Sequence, residues 1–222
     1  MSDLLPQLIQ QLFNGVSLGA IYALIAIGYT MVYGIIGMIN FAHGEVYMIG
    51  AYAGLVTLAA VGAQSGLPVA VLIALMLLVA VFVTGVYGFV IEQVAYKPLR
   101  NGPRLVALIS AIGMSIFLQN WVALGQGARD MAVPALLPGA LQFGTEGGFE
   151  IFVPYARVLI IVVTVVLMIA LTLYIRHSRM GRASRACSQD MRMAGLLGID
   201  VNRVISFTFI LGAVLAAVGG VL

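Results

Sequence analysis

Long runs of apolar residues dominate the chain, and its polar residues cluster between them. The runs cover Leu8–Ile39, Val46–Val61, Pro68–Ile91, Leu105–Leu124, Tyr155–Ile175 and Val204–Leu222. A bilayer core about 30 Å thick requires about 20 apolar residues of helix to cross it. In lipid, each helix satisfies its own backbone groups, and the runs lack the alternation of barrel strands. The pattern therefore predicts an all-α fold, a polytopic bundle of transmembrane helices.

The first run is too long for one membrane crossing and too short for two. It contains Gly28, Gly34 and Gly37. We therefore predict a spanning helix followed by an interrupted or re-entrant segment near residues 28–50. Irregular backbone at membrane depth persists only where it is buried in protein or lines a cavity. This segment is therefore the first candidate for a functional region.

Composition supports a membrane location. Hydrophobic residues make up 62% of the 222 positions and charged residues 9%, whereas a soluble domain has about a quarter charged residues. The net charge of +3 is not gathered into a basic patch with interleaved aromatic residues, so nucleic acid has no support as a partner. Cys187 is the only cysteine, which excludes an internal disulfide and a cysteine-rich metal site.

Lysine and arginine are concentrated in two of the three polar connections after the third run. Residues 92–104 and 176–203 are basic, whereas residues 125–154 hold one arginine and three acidic residues. The positive-inside rule therefore predicts that the two basic connections are cytoplasmic and that 125–154 is an external loop. No lysine or arginine precedes Lys97, so the orientation of the N-terminal side stays open.

Two further features concern the external loop and the C-terminal end. Alternation of apolar residues over 149–153 predicts a short strand in the loop, which either contacts an external partner or covers the outer mouth. The chain stops at Leu222 inside an apolar run, from which we expect a longer natural protein with further spans.

The most polar patch between the first two runs is a candidate wall of a translocation path, or a hinge at a broken helix. Its members are Asn40, Phe41, His43, Gly44 and Glu45. Ionisable groups at membrane depth are costly and usually functional. The alternatives are an ordinary interfacial loop, with His43 and Glu45 solvated or paired to each other, and a proton relay through these two residues.

Small residues four positions apart allow helices to approach closely in membranes. On this basis we predict helix packing at Gly15 and Gly19 in the first run and at Gly50 and Gly54 in the second.

The basic connection 176–203 is the strongest functional feature. Ser184–Leu197 lacks proline and has one glycine, so it predicts a helix that Gly198 ends as a C-cap. We interpret it as a short cytoplasmic helix that lies across a partner's surface. The alternative is a loop that only sets topology.

Motifs for catalysis are missing. The only lysine, Lys97, is not in a P-loop, so ATP hydrolysis must belong to another chain if transport is driven by ATP. We find no metalloprotease, serine hydrolase or paired-carboxylate pattern, and predict a transport subunit without cofactor or metal.

The stretch from Asn14 to Glu45, with its core Ile-Asn-Phe-Ala-His-Gly-Glu, resembles the start of permeases of branched-chain amino-acid ABC importers, the H-type permease of the Liv system. Close relatives that carry urea or short amides share this core. Residues 185–203 resemble the family's cytoplasmic coupling loop. The resemblance covers essentially the whole chain and implies one transmembrane permease domain over 1–222 in the bacterial inner (cytoplasmic) membrane.

The resemblance also implies partners in the bilayer and on both of its sides. These are a second permease subunit, two cytoplasmic ATPase subunits and a periplasmic substrate-binding protein. The residues implied in coupling to the ATPase are Arg185, Ser188, Gln189, Asp190, Arg192, Met193, Ala194 and Gly198. ABC importer permeases usually carry Glu-Ala-Ala in this loop. Here the positions read Arg192-Met193-Ala194, and the reversed charge puts a specific ion pair to the ATPase in doubt.

Three functions remain open from the sequence. The leading one is ATP-driven import of leucine, isoleucine or valine. The second is the same architecture for urea or short amides. The third is a secondary transporter or channel that works alone, which the lack of mid-span charge pairs after Glu45 disfavours.

Overall fold

The computed structural model describes residues 4–62, 66–100, 102–127, 131, 133–134, 136–143 and 151–222. The helices are α1 (Leu4–Ile36), α2 (His43–Thr57), α3 (Val69–Ile91), α4 (Arg104–Gln126), α5 (Tyr155–His177), α6 (Arg179–Gln189), α7 (Met191–Leu196) and α8 (Val201–Val221). Two strands, β1 (Ala140–Phe143) and β2 (Ile151–Pro154), precede α5. Among the residues that the structure describes, six helices are long and apolar enough to cross a membrane, which confirms the all-α polytopic prediction.

The interruption of the first run lies later than Gly28 and Gly34. α1 is one continuous helix of 33 residues, about 50 Å long at 1.5 Å per residue. The break comprises residues 37–42, and α2 follows it directly. The helix passes through Gly28 and Gly34 without a break, because a helix in lipid satisfies its own backbone and tolerates glycine. The interruption predicted near residues 28–50 is present at residues 37–42.

α8 is the central helix and packs against α1, α2 and α3. Close approach depends on small residues. A Cβ atom at Gly50 would lie 2.7 Å from the Cα atom of Ala217, and one at Gly220 would lie 2.6 Å from the carbonyl oxygen of Tyr47. α2 and α8 therefore touch backbone to backbone, an arrangement that helix pairs in membranes use widely.

The predicted packing glycines divide into two pairs. Gly50 faces α8, and a Cβ atom at Gly54 would lie 3.0 Å from Val221. Gly15 and Gly19 have no atom of another described element within 4 Å of such a position. Of the four predicted packing glycines, Gly50 and Gly54 therefore lie at a helix–helix contact among the described residues.

The two ends of the bundle differ in structure. β1 and β2 pair antiparallel at one end, with Leu141 opposite Val153, and the Gln10 side chain of α1 donates a 2.9 Å hydrogen bond to the carbonyl oxygen of Phe152. α6 and α7 lie at the other end. Following the prediction from arginine and lysine, we name these the outer end and the inner end. The start of α1 then lies at the outer end.

Residues 149 and 150 of the strand predicted over 149–153 lie outside the described residues, as does part of the predicted external loop 125–154. The described part of that strand is β2, which begins at Ile151. Its pairing with β1 was not predicted, because the partner segment lacks a clear alternating pattern.

Candidate functional site

Residues 37–42 form a hydrogen-bonded turn rather than a loose loop. Gly37 has a φ of +71°, which L-residues with a side chain rarely adopt. The Asn40 side-chain oxygen accepts hydrogen bonds from the Ala42 amide at 3.1 Å and from the Tyr96 hydroxyl at 2.8 Å. Asn40 is only 4% exposed. The Asn40 oxygen therefore provides an acceptor for an amide at the start of α2 and links residues 37–42 to Tyr96, just after α3. A buried polar group needs such hydrogen-bond partners.

His43 fills a slot between α1 and α8. The Cβ position of Gly28 is 2.6 Å from the His43 Nε2 atom, and that of Gly212 is 3.5 Å from its Cε1 atom. The Tyr29 ring lies 4.5 Å from the imidazole, centroid to centroid. The His43 Nε2 atom has no hydrogen-bond partner among the described residues. The slot exists because both facing residues are glycine.

Glu45 points to a different helix from His43. The Ser115 hydroxyl of α4 donates a 2.9 Å hydrogen bond to the Glu45 carboxylate. Residues two apart on a helix do not share a face, and the structure accordingly does not bring His43 and Glu45 together. Of the other residues predicted here, Phe41 is exposed and Gly44 has open space around its Cβ position.

The depth of this site follows from its neighbours. Ser115 lies at the middle of α4, and Gly212 lies near the middle of α8. α2 therefore begins near the middle of the bundle, and the break 37–42 lies between that level and the inner end. Glu45 is thus a carboxylate at membrane depth, where ionisable side chains are costly and usually functional.

A cavity of about 540 Å³ lies between α2, α3 and α4, on the outer side of Glu45. Its wall is largely aliphatic and aromatic, as in most small-molecule sites. The lining residues are Ile49, Tyr52, Ala53, Val56, Thr57, Val79, Val83, Tyr87, Trp121, Val122, Leu124, Gly125 and Gln126. A hollow of about 880 Å³ shares Val56 and Gln126 with it and extends to Met131 and Leu136 at the outer end.

The inner end carries two short helices where one helix was predicted over Ser184–Leu197. Asp190 has extended backbone and caps α7, because its side chain accepts hydrogen bonds from the amides of Arg192 at 2.8 Å and Met193 at 3.0 Å. An aspartate favours this capping role over a helix interior. The prediction of a single helix was therefore wrong at Asp190.

Gly198 ends α7 as predicted. Its φ is +84°, and the Ile199 amide donates a 3.0 Å hydrogen bond to the carbonyl oxygen of Ala194. Glycine is the residue that adopts this left-handed backbone without strain. A second cap at Asp200, which accepts from the Arg203 amide at 3.1 Å, then starts α8. α7 is therefore joined to α8 by a fixed turn.

Of the eight residues predicted for coupling, Ala194 is buried and the others are exposed. Ala194 is buried in the same cluster as Val32 and Ile205, together with Cys187 of α6. The Arg185 side chain donates to the carbonyl oxygen of Ile175. The exposed residues are Arg185, Ser188, Gln189, Asp190, Arg192, Met193 and Gly198. Leu196 and Leu197, which the sequence reasoning left out, are 82% and 80% exposed.

A buried polar network joins α3 to α8 at the inner end, and the sequence reasoning missed it. Glu92 is fully buried and contacts Arg100 at 2.5 Å. Its carboxylate also accepts from the Ser206 hydroxyl at 2.7 Å, and Arg100 donates to the Asn202 side chain at 2.5 Å. Glu92 begins a π-helical turn, Glu92–Tyr96, that continues α3. The available signal was an acidic residue directly at the end of an apolar run.

Comparison with known proteins identifies the family. The family described as "Branched-chain amino acid transport system / permease component" matches residues 11–222. The chain belongs to this family. The permease is 54% identical to the high-affinity branched-chain amino acid transport system permease protein LivH of Escherichia coli K12, over its whole length and 72% of LivH.

Further relatives agree with this assignment. The permease is 54% identical to the high-affinity permease protein BraD of Pseudomonas aeruginosa, over 96% of this chain and 70% of BraD. It is 28% identical to a probable LivH of Methanocaldococcus jannaschii, over 89% of this chain and 60% of that protein. No solved structure matches it significantly. The permease is thus a multi-pass inner-membrane subunit of a transport system, not an enzyme, and it works with other components of that system.

Proposed function

We propose that this permease carries leucine, isoleucine and valine across the inner membrane in an ATP-driven importer. A periplasmic binding protein delivers the amino acid to the outer end, and two ATPase subunits act at the inner end. A second permease subunit completes the path. The names of the relatives support the substrate class.

The observation that carries the coupling role is the exposed apolar tip of α7. Met193, Leu196 and Leu197 are 59%, 82% and 80% exposed. The tip lies between the apolar spans Tyr155–His177 and Val201–Val221 and belongs to neither of them. Exposed apolar residues on a fixed element mark an interaction site. The tip therefore supports docking by shape onto the ATPase, with Arg192 in place of the family's acidic residue.

The structure also provides a path for motion. Ala194 is buried against the bundle, and the capped turn at Gly198 links α7 to the central helix α8. The network of Glu92 and Arg100 then links the start of α8 to α3. A displacement of α7 by the ATPase would therefore move α3 and α8 together.

The test changes the tip and leaves its support intact. In the reconstituted importer, the double variant Leu196→Asp with Leu197→Asp should lose copurification of the ATPase subunits, because two charges cannot enter an apolar contact. Leucine uptake should fall on the order of tenfold or more. Leu67→Asp, an exposed leucine outside α6 and α7, is the matched control and should keep the ATPase bound. Normal uptake by the tip variant would refute the coupling role.

A further inference from the structure

The carboxylate of Glu45 has no cationic partner in the part of the chain that the structure describes. In that part, the salt bridge is formed by Glu92 with Arg100. Glu45 instead accepts a single hydrogen bond from the neutral hydroxyl of Ser115. A charged group at membrane depth is normally paired or serves a ligand or ion pathway. A ligand with a cationic group would supply the missing charge.

Glu45 and Ser115 lie on the faces of α2 and α4 that line the 540 Å³ cavity, just beyond its inner end. Glu45, Ile49, Tyr52 and Val56 follow at spacings of four, three and four residues, so they share one face of α2. The last three line the cavity. On α4, Ser115 and the lining residue Val122 are seven residues apart and also share a face.

A buried side chain, Leu118, lies on α4 between the level of Ser115 and the cavity. Leu118 lies between Ser115 and Val122 on that face of α4 and is only 3% exposed. It packs in the same cluster as Ile49. A molecule that enters from the outer end therefore meets the apolar wall of the cavity before it reaches the level of Glu45.

We infer that Glu45 and this cavity form a binding site within the membrane for the amino acid during its passage. The inference rests on the proposed function and deepens it. The α-ammonium group pairs with Glu45, and the branched aliphatic side chain lies among Ile49, Val83 and Val122. A volume of about 540 Å³ is within the range of small-molecule sites. The lining suits an aliphatic side chain, and the carboxylate suits a cationic group.

The first test removes the charge and keeps the size of the side chain. In proteoliposomes with the complete importer, Glu45→Gln should lower leucine uptake on the order of tenfold or more, since one member of a desolvated charge pair is lost. ATP hydrolysis stimulated by the loaded binding protein should persist, because the inner end is untouched. Glu45→Asp keeps the charge and should retain a larger share of uptake. Ser115→Ala, which removes only the hydrogen bond, should lower uptake about twofold.

The outcomes separate this inference from the proposed function. If the unmodified importer shows no ATP-dependent leucine uptake, the proposed function fails. If it does, and Glu45→Gln transports leucine equally well, the Glu45 site is refuted while the proposed function stands. Loss of both uptake and stimulated hydrolysis in an assembled Glu45→Gln complex would also refute the site, because Glu45 would then act on coupling.

If the Glu45→Gln importer does not assemble, a second variant tests the binding site. Ala53→Trp fills the cavity from α2 and should block leucine uptake while stimulated ATP hydrolysis continues. Ala74→Trp is the matched control, because Ala74 is exposed on α3 and does not line the cavity. Normal uptake by Ala53→Trp would overturn the inference, as would an equal loss in the Ala74→Trp importer.

Discussion

Two glutamates inside the bundle have opposite surroundings. Glu92 at the inner end is fully buried and contacts Arg100, Ser206 and Gln93. Glu45, half-buried near the middle of the membrane, has a single hydrogen bond from Ser115. A buried charge whose hydrogen bonds and counter-charge are complete is part of the structure, whereas one that lacks a counter-charge is available to a ligand. Substitutions of Glu92 should therefore lower stability, whereas substitutions of Glu45 should lower transport.

The largest expected effect on stability comes from Glu92→Ala. The change leaves the Arg100 guanidinium, 16% exposed, without its counter-charge and should destabilise the fold by about 3 kcal/mol. Unfolding in mixed micelles measures the loss. The double variant Glu92→Ala with Arg100→Ala is the control and should recover part of the stability. No loss in the single variant would show that the network is not structural.

A smaller effect is expected at Asp190, an exposed carboxylate that bonds only to amides. Asp190→Ala removes the cap of α7 and should cost about 1 kcal/mol. Hydrogen exchange at the amides of Arg192 and Met193 should accelerate, while exchange in α8 stays slow. Asp190→Asn can still cap the helix and is the control. Unchanged exchange in the alanine variant would contradict the capping role.

Glu45→Gln should change the stability least, by less than about 1 kcal/mol, since it removes a charge that has no counter-charge in the described chain. Mixed-micelle unfolding is again the measurement, with Glu92→Gln in parallel. A loss at Glu45 as large as that at Glu92 would remove the distinction between the two sites.

The thiol of Cys187 reports how firmly the inner end is packed. Burial raises the pKa of this thiol, and its side chain is 2% exposed. At neutral pH we therefore expect negligible labelling by a maleimide in the folded protein and full labelling after unfolding. A cysteine introduced at Leu196 is the control and should react at once. Rapid labelling of Cys187 would show that α6 is not packed as described.

The same raised pKa predicts a pH dependence with a defined sign. The folded state holds the thiol proton more tightly than the unfolded chain does, so stability should fall as the pH rises above the ordinary thiol pKa. The Cys187→Ala variant should lack this contribution. Equal pH dependence of the two proteins above that value would contradict a buried thiol.

The sequence predicts those features of the structure that depend on residues close together along the chain. The six spans follow from hydropathy and length, and the end of α7 at Gly198 follows from a local backbone requirement. Both signals lie within a few residues of the feature. The position of the break within residues 28–50 could not be predicted, because Gly28 serves contacts with His43 and Gly212, which are distant in the sequence.

The sites depend on still longer-range contacts. The residues of the motif around His43 and Glu45 could be selected from the sequence, but their different partners could not, because Ser115 and Gly212 meet them only through helix register. The network of Glu92 depends on Asn202 and Ser206, more than a hundred residues away. Asp190 differs from these, because aspartate favours helix N-caps, a local signal that the prediction of a single helix over Ser184–Leu197 did not use.

Substrate accumulation in proteoliposomes tests the whole account most directly. Leucine should accumulate inside the vesicles only when ATP, both ATPase subunits and the loaded binding protein are present, and isoleucine and valine should compete with it while urea does not. Accumulation of urea in place of leucine, or leucine flux without the ATPase subunits, would contradict it.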